Sequence, residues 1–313
     1  MARYFFIVNP RAVGGPGRPG AAAVSRLAAE LKAEVVTTAE PGHATFLARA
    51  AAGRYDPVVV VGGDGLVNEA LNGLLTSPVP DTTLAILPAG TGNDLARSVG
   101  ILTWEDGVRA LQGGRVWAID VIAVTCGRGG REITHYAGLG SGVGFGARVI
   151  QSTQEWVKRL FGPQWCYSVG VFRALLSYRS PWMRVIYDGG QASGRIFFLS
   201  VGNAEYESGG TMRVSPGAKM DDGLLNVNLI YDGPRWEVVL NYPRFLRGTH
   251  ITHHRVRYFT TTALTVVTEP LVALQLDGDV RGCTPAHFQV RPRALHLQVP
   301  ESRNTNQVDL PIM

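Results

Sequence analysis

Val58–Leu74 reads VVVVGGDGLVNEALNGL. Four consecutive β-branched residues, Val58 to Val61, form a run without polar alternation, as in a strand covered on both faces. The chain then turns through Gly62-Gly63-Asp64-Gly65, where missing Cβ atoms let backbone amides approach a ligand. A helix follows, with Val67, Ala70, Leu71 and Leu74 at i, i+3, i+4 and i+7. Strand, glycine turn and helix N-terminus make an anion site, because free amides and the positive end of the helix dipole meet at one spot. Asp64 is the oddity: a carboxylate beside a phosphate is repelled unless a cation lies between them. The simpler alternative is a tight turn whose Asp caps the helix. Three glycines around one Asp weigh against it.

Leu87–Gly100, LPAGTGNDLARSVG, repeats the layout, with a helix beginning near Asn93-Asp94. In an open parallel sheet, ligands bind beyond the carboxyl ends of the strands. The turns Gly62–Gly65 and Gly90–Asp94 both leave such ends and can face one cleft. Outward from them, strands at Arg3–Asn9, Glu34–Thr37 and Thr83–Leu87 alternate with helices at Ala21–Ala33, His43–Gly53, Leu95–Val99 and Trp104–Leu111. Such alternation predicts a doubly wound parallel sheet with helices on both faces. From Val116 the pattern changes. A strand at Val116–Val124 is followed by strand-like runs at Met183–Tyr187, Arg195–Val201, Leu224–Ile230, Arg255–Thr261, Leu264–Val267, Leu271–Leu276 and Ala294–Val299. Short strands separated by Gly, Asp and Pro turns predict an antiparallel β-sandwich, interrupted by helical periodicity over Ala147–Tyr178. The expected domains are an α/β unit over 1–122 and a sandwich over 123–299, with the polar tail 300–313 free to return to the first.

The 313-residue chain is 45% hydrophobic and 18% charged, with a net charge of +5. That balance favours anionic substrates or an anionic membrane surface. No dense Lys/Arg run points to nucleic acid. Cys126, Cys166 and Cys283 are scattered and odd in number, as expected in a reducing compartment. No stretch reaches the roughly 20 apolar residues that span a bilayer, and Tyr4–Val8 is too short for a signal segment. The expected location is cytoplasmic, with any membrane contact peripheral. Nothing sets the oligomeric state, so a homodimer stays open.

Three weaker motifs call for weighing. Gly15–Gly20 fits G-x-G-x-x-G, with Glu40 about 20 residues on. Several residues separate it from the strand end, however, and two prolines remove amides a pyrophosphate needs. His250-x-x-His253-His254 has near-ligand spacing but no Cys or acid beside it in sequence, so solvated histidines are expected ahead of a zinc site. The acidic runs Lys219–Leu224 (KMDDGL) and Gln275–Asp279 (QLDGD) are ordinary turns when read alone. Beside two phosphate-binding turns they acquire a second use, because phosphoryl transfer needs a hard divalent cation and a base for the acceptor's proton.

Together, NPRAVGG (Asn9–Gly15), TTAEPGHA (Thr37–Ala44), GGDGLVNEALNGL, LPAGTGNDLARSVG, VGNAEYESGGTMRVSPGAKMDDGLLNV (Val201–Val227) and LQLDGD resemble the diacylglycerol kinase catalytic-domain family, which includes bacterial lipid kinases and the sphingosine and ceramide kinases. The resemblance runs in family order from residue 9 to residue 279. It implies an α/β nucleotide domain of the NAD kinase/phosphofructokinase kind, joined to a β-sandwich, with the active site between them. It places ATP contacts on Asn9, Thr38, Gly62, Gly63, Asp64, Gly65, Leu66, Val67, Asn68, Glu69, Gly90, Thr91 and Asp94. It places Mg²⁺ on Asp222, with main-chain oxygens of Lys219 and Leu224, while Asp64 and Asp94 extend the acidic network through water. The general base falls on Asp279. Two positions depart from the family pattern: Leu66 stands for the Thr of GGDGT, and Asp279 for the Glu of DGE. Asp is one methylene shorter, and a displacement of about 1 Å can lower a rate roughly 100-fold.

The expected reaction is transfer of the γ-phosphate of ATP to the hydroxyl of a membrane lipid, diacylglycerol-like or sphingoid-like. The alternatives are a NAD kinase-like activity and a catalytically weak, nucleotide-dependent lipid-binding regulator. Gln154–Trp182 interleaves Trp156, Phe161, Trp165, Phe172 and Trp182 with Lys158, Arg159, Arg173 and Arg179. That suits a membrane interface, and equally a helix packed on its own sandwich.

Overall fold

The computed structural model describes residues 3–14, 18–79, 81–128, 131–152, 174–175 and 177–301. Strands β1 (Phe5–Val8), β2 (Glu34–Thr37), β3 (Val58–Gly62) and β4 (Leu84–Pro88) pair in parallel in the order β2-β1-β3-β4. β3 and β4 are buried along their whole length, as unbroken apolar runs require. Val58 and Val60 face one core, shared with α2 (His43–Ala51), α3 (Asp64–Leu75) and α4 (Asp94–Ser98). Val59 and Val61 face another, shared with α1 (Ala21–Glu30) and Leu111 of α5 (Trp104–Gly113). Helices therefore cover both faces of this sheet. α5 begins with a capping box between Thr103 and Asp106.

Two long strands carry the chain into the second lobe. β5 (Arg115–Arg128) runs antiparallel to the C-terminal strand Asp279–Val299, from Arg115 opposite Val299 to Gly127 opposite Cys283. At its far end that C-terminal strand also pairs in parallel with β4, Leu297 beside Leu84. The chain thus returns to the first lobe before residue 300, and residue 122 falls inside β5. β5 continues as one strand through residue 122, so no break marks a boundary there, while the C-terminal strand crosses at the register shift between Arg291 and Leu295. Residues 302–313 lie outside the described residues.

The second lobe is antiparallel throughout. β6 (Arg131–Ala137) pairs with β5, and β7 (Gly140–Gly144) lies between β9 (Gly190–Gly202) and β13 (Ala273–Leu276). β8 (Trp182–Tyr187) pairs with β9 and with β12 (Ala263–Glu269), while β10 (Leu225–Tyr231) joins β9 to β11 (Val256–Thr261). β14, the strand Asp279–Val299, receives β12 and β13. Met183, Leu199, Val227, Leu264 and Phe288 meet in its core. Periodicity did not mark β7, whose sequence GSGVG has little strand propensity, nor the helix α7 (Arg235–Arg247), which contains Pro243. Of the helical stretch 147–178, α6 (Phe145–Ser152) is described. Residues 153–173 and 176, and with them most of the aromatic and basic residues of 154–182, lie outside the described residues. Leu175 and Tyr178 are buried against Phe145 and Phe197.

Candidate active site

The two glycine turns touch through their backbones. A Cβ on Gly63 would lie 2.9 Å from the Gly90 Cα, and one on Gly92 would lie 2.7 Å from Asp64 Oδ2. Only glycine allows this approach. Asp64 ties the turns together, accepting the Asn93 N–H at 2.8 Å and the Asp94 N–H at 2.6 Å. It therefore caps α4 rather than its own helix. No side chain caps α3, and a Cβ on Gly65 would meet nothing within 4 Å. The N-terminus of α3 is thus left without a side-chain cap and with open space beside Gly65, as a phosphate site requires.

That space is a cavity of about 780 Å³ between the lobes. Five acids line it: Asp64, Asp94, Glu207, Asp277 and Asp279. Asp94 accepts N–H bonds from Gly209 at 2.6 Å and Gly210 at 3.1 Å. Burial, and then the Asp64 charge, push the Asp94 carboxyl up to about 6 despite those bonds. Glu207 is pushed up to about 7, by burial first and by Asp277 and Asp94 after it. Asp277 accepts from the Gly138, Leu139 and Gly140 amides and from Asn68 Nδ2, at 2.8 to 3.1 Å. Burial still raises its pKa. Asp279 is half-exposed beside Arg281 Nη2 at 3.2 Å. Much of the remaining lining is apolar, with Phe145, Val149, Leu175, Phe197, Phe198 and Phe245.

The acid-rich end suits a hard divalent cation. Among the described residues no three of these acids bring ligand atoms within 4.8 Å of one another. Mg²⁺ habitually takes one or two carboxylates and completes its shell with water and phosphate, so this spacing is compatible with it.

The residues expected from sequence divide. Asp64, Gly65, Asp94 and Asp279 share the cavity. Gly90 and Thr91 line a second cavity of about 570 Å³, with Arg18 and Arg97; Arg18 Nη2 donates to Thr91 Oγ1 at 3.1 Å. Asn9 and Thr38 follow the ends of β1 and β2, their amides donating to Val61 O and Val8 O. Leu66 and Val67 are buried in the first-lobe core. A Cβ on Gly62 would lie 2.6 Å from Leu66 Cδ2, so Leu66 serves packing where a Thr would offer a hydroxyl. Asn68 is buried and donates to Asp277. Glu69 caps α2, accepting the Gly42 amide at 2.8 Å and the Ala44 amide at 3.2 Å.

Lys219 and Asp222 are exposed and Leu224 is half-buried; none of the three lines either cavity. Asp222 Oδ1 accepts the Leu224 amide at 3.0 Å. Their segment is anchored by buried Asp120, which accepts the Gly223 amide at 2.6 Å, and by Trp117 Nε1 donating to Asp221 at 3.2 Å.

Sequence reasoning assigned no role to Glu207, and it took Asp277 only as a member of the acidic run QLDGD, with the base placed on Asp279. Nothing in the spacing around Glu207 signals a site. The histidines also differ from expectation. His250 is buried, its Nε2 2.8 Å from Asn228 Nδ2 and its ring stacked on Phe245. His253, His254 and Glu237 bring three ligand atoms within 4.8 Å, a proximity created by folding. Glu237 there already pairs with Arg255 at 2.8 Å.

Comparison with known proteins accords with this arrangement. The family described as "Diacylglycerol kinase catalytic domain" matches residues 3–124, and the "YegS C-terminal NAD kinase beta sandwich-like domain" matches residues 141–299. A diacylglycerol kinase from Bacillus subtilis (strain 168) is 29% identical over 272 residues, covering 84% of this chain and 84% of the relative. One from Staphylococcus aureus (strain JH9) is 29% identical over 258 residues, covering 80% and 77%. The crystal structure of a diacylglycerol kinase from Bacillus anthracis str. Sterne shares the fold, with a TM-score of 0.71, 22% identity and coverage of 95% and 96%. The chain belongs to the diacylglycerol kinase catalytic-domain family and is a kinase, a phosphotransferase of the lipid-kinase type.

Proposed function

We propose that this kinase uses ATP and Mg²⁺ to phosphorylate a hydroxyl of a membrane lipid, diacylglycerol-like or sphingoid-like. One observation carries the reading: a single cavity of about 780 Å³ is lined both by the acids Asp64 and Asp94 of the glycine turns and by apolar side chains of the second lobe. In this reading residues 1–122 bind the nucleotide and 123–299 the lipid. The uncapped N-terminus of α3 and the backbone of Gly62–Gly65 hold phosphate oxygens, with Asn9, Thr38, Glu69, Gly90 and Thr91 around the rest of the nucleotide. Asp64 and Asp94 would hold the cation through water, whereas Asp222 and the main chain of Lys219 and Leu224, the set that the resemblance implies, lie outside this cavity and would hold a cation only at a separate position. When bound, Mg²⁺ neutralises phosphate charge and so lets the acids ionise together.

Asp279 acts as the base. The lipid hydroxyl oxygen bonds to the γ-phosphorus, the bond from that phosphorus to the bridging oxygen breaks with ADP leaving, and the hydroxyl proton passes to the Asp279 carboxylate. Arg281 orients that carboxylate from 3.2 Å. The apolar wall excludes water, which would otherwise compete as acceptor.

A radiolabelled-ATP assay against a panel of lipid alcohols, with NAD as a further acceptor, tests the reading. Labelled lipid is expected, and Asp279→Asn should lower its kcat about 100-fold or more. Labelled NADP without labelled lipid, ATP binding without turnover on any lipid, or full turnover by Asp279→Asn would each overturn it.

A further inference from the structure

We propose that α7 is the membrane-docking element, lying flat in the interfacial layer of an anionic bilayer and presenting the cavity beside it to the lipid. A helix on a globular protein ordinarily turns its apolar stripe inward, and here the stripe faces out. No residue of α7 is buried. Trp236, Val239 and Leu240 are 62%, 59% and 68% exposed, and Tyr242 and Leu246 are exposed as well. Trp236, Val239, Leu240, Pro243 and Leu246 follow one another at helical spacing, forming a continuous ridge. Isolated exposed apolar residues need no explanation, whereas a contiguous ridge marks an interaction surface.

Two further observations identify the occupant. Val238, Val239, Tyr242 and Phe245 of α7 line the 780 Å³ cavity, Val239 belonging to ridge and wall alike, so a bilayer on the ridge would lie against the wall of the lipid site. The exposed arginines Arg244 and Arg247 stand in the last turn of α7 and make no ion pair among the described residues. The helix's own acid, Glu237, is neutralised by Arg255. The ridge is thus rimmed by positive charge, with a Trp and a Tyr suited to the headgroup level. An anionic leaflet complements that charge. Thirteen residues make a helix of about 20 Å, which can lie on a bilayer but not cross it.

The inference rests on the lipid-kinase reading of the cavity, and two readouts keep them apart. Full-length protein is sedimented with vesicles of equimolar phosphatidylglycerol and phosphatidylcholine, and is assayed separately for phosphorylation of a water-soluble short-chain diacylglycerol. The parent should bind the vesicles, more weakly as salt rises. Leu240→Glu and Trp236→Glu should each weaken binding at least 10-fold, while turnover of the soluble acceptor and thermal midpoint stay as in the parent. Phe46→Glu, an exposed apolar residue on α2, should bind like the parent. Docking by α7 is overturned if the parent does not sediment, if Leu240→Glu sediments like the parent, or if Leu240→Glu only splits a dimer. Vesicle binding without turnover of any acceptor leaves docking standing and removes the kinase reading instead.

Discussion

Glu207 keeps its proton near neutrality because burial, Asp277 and Asp94 all disfavour its charge. Its folded pKa lies above the unfolded value, so the native state holds this proton more tightly than the unfolded chain does. The resulting stability is complete below the unfolded carboxylate range and is lost as pH rises through about 7. Glu207→Gln, which cannot ionise, should match the parent near pH 4.5 and exceed it by about 3 kcal/mol at pH 8, read from denaturant midpoints at both pH values. Equal pH dependence in the two proteins would show that Glu207 is not desolvated in solution. Asp94, pushed up to about 6, adds a slope of the same sign at lower pH. A divalent cation in the cavity should flatten both slopes, since it favours the ionised acids. This residue was illegible in the sequence. NAEYESGG carries two acids, Glu205 and Glu207, with nothing local to tell them apart, and only folding brings Asp94 and Asp277 to Glu207 from residues 113 positions before and 70 after.

The helix N-termini tell two stories at the scale of elements. α5 begins at Thr103, with Thr103 Oγ1 accepting the Asp106 amide and Asp106 accepting the Thr103 amide in return. Thr103→Ala should cost about 1 kcal/mol of stability, as thermal unfolding would show. α3 has no side-chain cap, and its acid points away, to the start of α4. Leaving those amides unsatisfied carries a free-energy cost that a bound anion offsets. The strand–turn–helix at 58–74 was legible because β-branched residues, glycines and an i, i+3, i+4, i+7 stripe agree locally. β7 and α7 were not legible. The glycines of β7 hold strand conformation only between β9 and β13, and α7 turns its apolar residues outward.

Across the whole molecule the lobes meet through polar groups as well as through shared strands. Asn68 on α3 donates to Asp277 at 2.8 Å and to Tyr136 O at 3.1 Å, while Asp94 takes the Gly209 and Gly210 amides. Asn68→Ala should therefore lower stability by about 1–3 kcal/mol, because it strips a donor from a carboxylate in the cavity wall. A urea titration checks the loss, and an unchanged midpoint would show that the Asn68–Asp277 bond contributes nothing net. Both links end on acids of the cavity, so the bonds that hold the lobes together also set the geometry of the site.

The sequence by itself determined the parallel strands, the two glycine turns and the antiparallel character of the second half, since each is written in neighbouring residues through propensity, periodicity and the absence of Cβ atoms. Tertiary structure alone decided which acids share a cavity: Asp64, Asp94, Glu207, Asp277 and Asp279 meet, and Asp222 stays outside. It also decided that β14 crosses from one lobe to the other and that α7 faces outward. These depend on pairing between residues far apart in the chain, where burial and charge are properties of the assembled neighbourhood and no local pattern records them.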